Sequence, residues 1–219
     1  MYNLYQAFEK LTQEKKDLII KVAIEEFSQN GFEKASTDTI AKRAGISKGS
    51  LFHYFKSKKN LFVYLAEHVM NMLIDTIMDV LRHMQADDFF EHIIDITLMK
   101  QRIAYQYSSE TQFLLNALMH PPVAVKPEME TILAKQWETY QQNFMYKYVY
   151  QKELLDHERL RPDVNEDTVV EMTRLLVENI SNKYQMMYRD QNVNLFEYQD
   201  QILKELQDYF SIIKNGIYR

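Results

Sequence analysis

Cysteine is absent from the 219 residues. That excludes disulfides, thiolate metal sites and cysteine nucleophiles, and it fits a reducing compartment. Glycine and proline number only four each, while 46% of the residues are hydrophobic. So few breakers among so many Leu, Ile, Met, Glu, Lys and Gln point to an all-α fold. No apolar run approaches the roughly 20 residues that cross a bilayer. The N-terminal stretch MYNLYQAFEKLTQEKK lacks the apolar core and cleavage site of a signal peptide. A soluble, cytoplasmic protein with no membrane partner is expected. Signatures of enzyme chemistry are missing too. The six histidines (His53, His68, His83, His92, His120, His157) include no i, i+4 pair and no HExxH. There is no Gly-rich phosphate loop and no nucleophile elbow, and Asp87-Asp88 reads as a helix start. No catalytic residue, no metal site and no cofactor is expected.

Net charge is -5, which on its face argues against a nucleic-acid binder. Its distribution argues otherwise. Residues 1–60 carry 11 Lys+Arg against 7 Asp+Glu, and the remainder carries 15 against 24. From Lys34 to Lys59 there are 7 basic residues, and Asp38 is the one acid. A basic head facing phosphate and an acidic body facing away fit this asymmetry.

The stretch Ser36–Leu61, STDTIAKRAGISKGSLFHYFKSKKNL, has the layout of a helix-turn-helix. Ser36 or Thr37 caps a helix over DTIAKRA, and Ala41 is small where two helices would cross. Gly45 can take the left-handed conformation of a tight turn. Ile46 and Leu51 plug the angle between the helices, and Ser47 caps the second one, SKGSLFHYF. In such a motif the second helix lies in the major groove of DNA.

Upstream, Leu4, Phe8 and Leu11 suggest a short helix on the head or a frayed end. A helix of about 17 residues from Gln13 carries the stripe Ile19, Val22, Ala23 and Phe27 and stops at Asn30-Gly31, after which Phe32 tucks back. Downstream, Ser57 caps a long helix through Leu61, Leu65, Val69, Met72 and Leu73 to about Met84. Asp87 or Asp88 starts the next, to about Tyr107. Ser108 or Ser109 starts another, ended by His120-Pro121-Pro122. Pro127 opens a helix bearing Trp137, Tyr140, Phe144 and Tyr148 and stopping before Pro162. Asn165 caps a helix to about Asp190, and Asn194 one to about Lys214.

The last two helices have wide apolar stripes. One holds Met172, Leu176, Ile180, Tyr184 and Met187, with Leu175 beside them. The other holds Ile202, Leu206, Tyr209 and Ile213, with Leu203 and Phe210. A surface helix needs only about 100° of apolar face. The surplus suggests burial on two sides, against the body and against a second subunit. Leu175, Ile202, Leu206, Tyr209 and Ile213 are the candidate dimer-interface residues.

The head resembles the DNA-binding domain of the tetracycline-repressor (TetR) family of bacterial regulators. The resemblance rests on Ala23 and Phe27, then Asn30-Gly31-Phe32, Thr37, Ile40-Ala41 and Ala44-Gly45-Ile46-Ser47. It continues through Lys48-Gly49, Leu51, Tyr54-Phe55, Lys56-Ser57-Lys58 and Leu61. It covers about 45 residues and does not extend beyond about residue 85. It implies an N-terminal three-helix head (residues 1–56) joined by a long helix to a helical ligand-sensing and dimerisation body (57–219). It implies, too, a homodimer on a double-stranded, pseudo-palindromic DNA operator, released by a small-molecule effector.

By position, the resemblance gives Thr37 a phosphate at a helix N-terminus. Ser47, Lys48 and Gly49 open the recognition helix, with Lys48 as reader of a guanine edge and Gly49 allowing close approach. His53, Tyr54 and Lys58 reach phosphates. Phe52 stands where the family usually has Tyr, so it lacks a phosphate-bonding hydroxyl but can touch a thymine methyl group. In the body, 12 Met, 12 Phe and 15 Tyr suit an adaptable apolar pocket. The row Trp137, Tyr140, Phe144 and Tyr148 is the candidate lining, with Arg102 or Arg174 for an anionic ligand. The rival expectation is an architectural or protein-recruiting DNA-binding protein with no small-molecule ligand.

Overall fold

The computed structural model describes residues 5–141, 145–191 and 195–218, without the side chains at 136–141, 145, 146, 191 and 195. Among these residues the structure is all-α. There is no strand, only an isolated antiparallel bridge between Leu160 and Tyr218. Two compact units form, Met1–Leu73 with Tyr107–Ala134, and Ile74–Gln106 with Lys135–Arg219.

The first unit opens with α1 (Gln6–Glu9), which drives Phe8 to complete burial. The short N-terminal helix thus packs on the head. α2 (Gln13–Lys34) follows, broken at Gly31, where φ is 66° and ψ 172°. Its stripe Ile19, Val22, Ala23 and Phe27 is buried as its spacing requires. Phe32 returns to pack on Phe62, ring centroids 5.2 Å apart. Next come α3 (Thr37–Arg43), α4 (Lys48–Phe55) and α5 (Lys58–His83). Ser57 Oγ caps α5 by accepting from the Asn60 amide at 3.0 Å.

α5 corrects one sequence-based expectation. It is long and apolar enough, by length and composition, to cross a membrane. A helix packed in a core has the same composition, and the first half of α5 is packed in one: Leu61, Phe62, Leu65, Ala66 and Val69 are buried in the first unit. Each of the larger side chains, Leu61, Phe62, Leu65 and Val69, contributes roughly 1.5–3 kcal/mol on burial.

α7 (Ser108–Met119) belongs to the same unit, packed on α2. Phe113 meets Phe62 at 5.1 Å and Phe27 at 6.4 Å. Neither Ser108 nor Ser109 caps it. Tyr107 holds the N-cap position without a side-chain bond, and the helix is held by Phe113, Leu114 and Ala117 instead. α8 (Lys126–Gln141) starts in this unit with Met129 and Ile132 in its core.

The second unit is built on α6 (Phe89–Gln106), α9 (Glu166–Gln191) and α10 (Gln199–Ile217). Asp88 caps α6, its Oδ1 accepting from the Phe90 and Glu91 amides at 2.9 Å each. Asn165 caps α9 through the Thr168 amide at 3.0 Å. Phe90 packs on Phe210 at 5.2 Å between α6 and α10. The expected helix from Pro127 towards Pro162 ends at Gln141. A π turn (Met145–Val149) and a 3-10 turn (Lys152–Leu154) follow. Val149 and Tyr150 are buried there, so tertiary burial overrides the helical period. α10 begins after a 3-10 turn (Leu195–Tyr198) and runs past Lys214. Asn194, its expected cap, lies outside the described residues.

Candidate nucleic-acid interface

The segment from Ser36 to Lys58 is fixed by short-range bonds that the sequence encodes. Ser36 Oγ accepts from the Thr39 amide at 3.3 Å and so caps α3. At the other end of α3 the Ile46 amide bonds the Ala41 carbonyl at 3.0 Å. The Gly45 amide bonds that of Lys42 at 3.1 Å. With Gly45 at φ 62°, this is a Schellman ending, which needs a residue that tolerates the left-handed region. Ser47 Oγ accepts from the Ser50 amide at 2.9 Å and caps α4. Leu51 and Phe55 point into the core.

Three long-range bonds brace the motif. Lys15 Nζ in α2 donates to the Ala44 carbonyl at 2.8 Å and so satisfies the end of α3. Glu26, buried on the apolar stripe of α2, accepts from the Ser36 amide at 2.9 Å. Arg43 pairs with Glu25. Sequence reading missed all three. Glu26 alone left a trace, as an acid at i+3 from Ala23 on a stripe otherwise apolar. Lys15 and Arg43 left none, because their partners lie far along the chain.

With Leu51 and Phe55 inward, α4 presents Ser47, Lys48, Gly49, Phe52 and His53 to solvent. Phe52 is 37% exposed, a large apolar ring kept on the surface. Lys48 Nζ pairs with Asp38 Oδ2 at 2.7 Å, which brings the start of α4 beside the first turn of α3, where Thr37 sits half-buried. Tyr54 is half-buried, its ring 6.0 Å from that of Phe8 and 5.9 Å from that of His53. Lys58 is placed differently from the other site candidates. Its ammonium donates to the Glu33 and Ala35 carbonyls at 3.0 and 3.3 Å and lies 4.9 Å from the Phe32 ring centroid. In this state it caps the end of α2 rather than facing outward.

In the second unit, Tyr148 is half-buried, and its carbonyl lies 2.9 Å from His92 Nε2. Phe144 and the side chains of Trp137 and Tyr140 lie outside the described residues. Arg174 is held by Glu171 and Glu178, both at 2.6 Å, and Arg102 is exposed. Of the interface candidates, Leu206 is buried within its own unit, and Ile202 and Ile213 are partly covered. Leu175 and Tyr209 are 53% and 41% exposed, beside exposed Met172 and Ile212. A cleft of about 500 Å³ runs along Tyr150, Lys152, Glu153, Asp167, Val170 and Glu171.

A capped helix, a glycine turn and a second capped helix with a basic, solvent-facing start define a helix-turn-helix DNA-binding protein. The comparisons place it further. Residues 19–65 match the model of bacterial regulatory proteins of the tetR family. The HTH-type transcriptional regulator YvdT of Bacillus subtilis is 27% identical over 191 residues, 86% of this chain and 92% of that protein. RutR of Escherichia coli K12 matches over 58 residues at 36% identity, 26% of this chain and 27% of RutR. Among solved structures, a TetR family regulator from Chloroflexus aurantiacus aligns over 98% of both chains, with TM-score 0.53 and 22% identity. FadR of Bacillus subtilis, in complex with stearoyl-CoA, aligns over 87% of this chain and 96% of its own, with TM-score 0.56 and 15% identity. Residues 19–65 thus carry the DNA-binding domain of the tetR family, and over most of its length the chain is similar to a transcriptional regulator with that domain.

Proposed function

We propose that the protein is a homodimeric repressor that binds a pseudo-palindromic operator and is released by a small apolar or amphipathic effector. The observation that carries the DNA half is the solvent face of α4, with Ser47, Lys48, Gly49, Phe52 and His53 outward above buried Leu51 and Phe55. Lys48 reads a base edge, Phe52 touches a thymine methyl group, and Thr37, His53 and Tyr54 meet phosphates. Leu175 and Tyr209, with Met172 and Ile212, supply apolar surface for a two-fold partner, which a reader of paired half-sites requires. A fold neighbour that holds stearoyl-CoA supports the effector half. Effector binding favours a dimer state whose recognition helices no longer match the half-sites.

Selection from random duplex DNA at near-physiological salt tests this reading. An enriched inverted repeat is expected, and it then serves as the probe for compounds that release DNA. Binding without enrichment overturns the operator assignment in favour of an architectural protein that holds phosphates alone.

A further inference from the structure

One peptide group at the entrance to α3 is held from two sides. The Ser36 amide donates to Glu26 Oε1 at 2.9 Å, and the Ala35 carbonyl accepts from Lys58 Nζ at 3.3 Å. That N–H and that C=O belong to the same planar unit, the peptide joining Ala35 to Ser36. Glu26 reaches it from α2 and Lys58 from the start of α5. A peptide plane bonded at both edges cannot rotate without breaking both bonds.

Glu26 supplies what the local sequence of α3 leaves out. A capping box has two halves. The N-cap hydroxyl accepts from the third helical amide, and a Glu or Gln at that third position accepts from the N-cap amide. Ser36 makes the first half with the Thr39 amide at 3.3 Å. The second half is missing from α3, because Thr39 stands where the longer side chain is needed. Glu26, ten residues upstream, makes it instead.

Stability alone does not account for a carboxyl group at that place. Glu26 is 5% exposed, on the stripe of α2 between buried Ala23 and Phe27. Among the described residues its side chain has no ion pair and bonds the Ser36 amide alone. Burying a carboxyl group is costly, and a single hydrogen bond returns little of that cost. What the bond adds is a fixed place for the residues that follow. Thr37 is the next residue, and Asp38, one further on, pairs with Lys48 of α4 at 2.7 Å.

We infer that Glu26 is a positioning residue for DNA binding: with Lys58 it clamps the Ala35–Ser36 peptide and so sets the first turn of α3 against the DNA backbone. The inference rests on the DNA-binding reading above, in which the Thr37 hydroxyl meets a phosphate.

The test uses the full-length protein and the operator that selection yields, with anisotropy read at a temperature where circular dichroism shows every variant folded. Glu26→Leu accepts no hydrogen bond and binds about fivefold more weakly than wild type, while Glu26→Gln keeps an acceptor and stays within about twofold. Thr37→Val costs about as much as Glu26→Leu, and the double variant costs little more than either, because one contact is not lost twice. A purely structural brace gives additive losses and a lower melting temperature instead. Additive losses, equal losses in Glu26→Leu and Glu26→Gln, an unchanged Glu26→Leu, or a Thr37→Val protein that binds like wild type overturns the assignment. Glu26→Asp, one methylene shorter, takes the place of Glu26→Leu if that variant fails to fold. A readout without DNA separates the two readings. Exchange of the Ser36 amide with solvent, followed by NMR, is about tenfold faster in Glu26→Leu than in wild type. Equal exchange rates remove the clamp, whatever DNA does. Faster exchange with no enriched operator keeps the clamp but sinks the operator reading, and the positioning role with it.

Discussion

Lys48 Nζ and Asp38 Oδ2 are 2.7 Å apart, an ion pair that ties the first turn of the recognition helix to the first turn of the helix before it. Both side chains are more than half exposed, at 53% and 65%. Such a pair contributes about 0–1 kcal/mol and is screened by salt, so releasing Lys48 from Asp38 costs little. Asp38 also sets a negative charge at the start of α4. Asp38→Asn is expected to tighten binding to random duplex by a few-fold, within about 1 kcal/mol, and to tighten operator binding less. Anisotropy titrations on operator and scrambled duplex measure both. A larger gain on the operator would show that Asp38 only repels DNA and does not orient Lys48.

Lys48→Ala should cost about 1–3 kcal/mol on the operator and relax the preference at one base position per half-site. Equal losses on operator and scrambled duplex would instead make Lys48 a phosphate contact.

Lys58 tests whether a basic residue in a DNA-binding motif must face DNA. Its ammonium satisfies the Glu33 and Ala35 carbonyls at the end of α2, over the Phe32 ring. A cation at a helix C-terminus with charge-assisted bonds contributes on the order of 1–2 kcal/mol. Lys58→Met should lower the melting temperature by several degrees. The slope of log affinity against log salt should stay as in wild type. A slope smaller by about one phosphate per subunit would show that Lys58 leaves the carbonyls when DNA arrives.

The parts of this structure that were legible in the sequence are those made by neighbours in the chain. Ser36, Ser47, Ser57, Asp88 and Asn165 cap helices by bonding amides two or three residues on. Gly45 ends α3 through its own positive φ. The rest is made by residues far apart. Phe113 joins Phe27 and Phe62 across at least 50 positions, so nothing local placed α7 in the first unit. Lys15 and Lys58 both turned out to bond carbonyls at helix ends, and the family resemblance had cast Lys58 as a DNA contact.

The head should lose stability in mild acid through His68. Its ring stacks on Tyr64, centroids 5.9 Å apart, and the Tyr64 hydroxyl donates to Glu9 at 2.9 Å. Burial lowers the His68 pKa below 6.5, against the weaker upward pull of Glu9 and Asp17 and with a further push down from Lys16. In the window between the folded pKa and 6.5, the unfolded chain binds the extra proton. The contribution is therefore fully present above the unfolded value and is lost as pH falls towards the folded one. Urea unfolding of wild type and His68→Phe across this window should show the wild type falling more steeply. Parallel curves would place the acid sensitivity elsewhere.

Two glycines separate what the fold needs from what DNA needs. At Gly31, φ 66° and ψ 172° suit glycine alone, while a Cβ there would meet nothing within 4 Å. Gly31→Ala should therefore cost about 1–3 kcal/mol of stability by backbone strain and leave operator affinity unchanged well below the melting point. Gly49 is an ordinary helical residue, and a Cβ there would rest 3.6 Å from Ser47 Oγ, a normal contact. Nothing in the fold asks for glycine at that position, and Gly49→Ala should gain up to about 1 kcal/mol of helix stability. If the start of α4 comes against the DNA backbone, the same methyl group obstructs it. The expected variant is more heat-stable and binds the operator about tenfold more weakly. A Gly49→Ala protein that is both more stable and fully able to bind would remove the close approach from the DNA-reading scheme and leave Lys48, Phe52 and His53 to account for it.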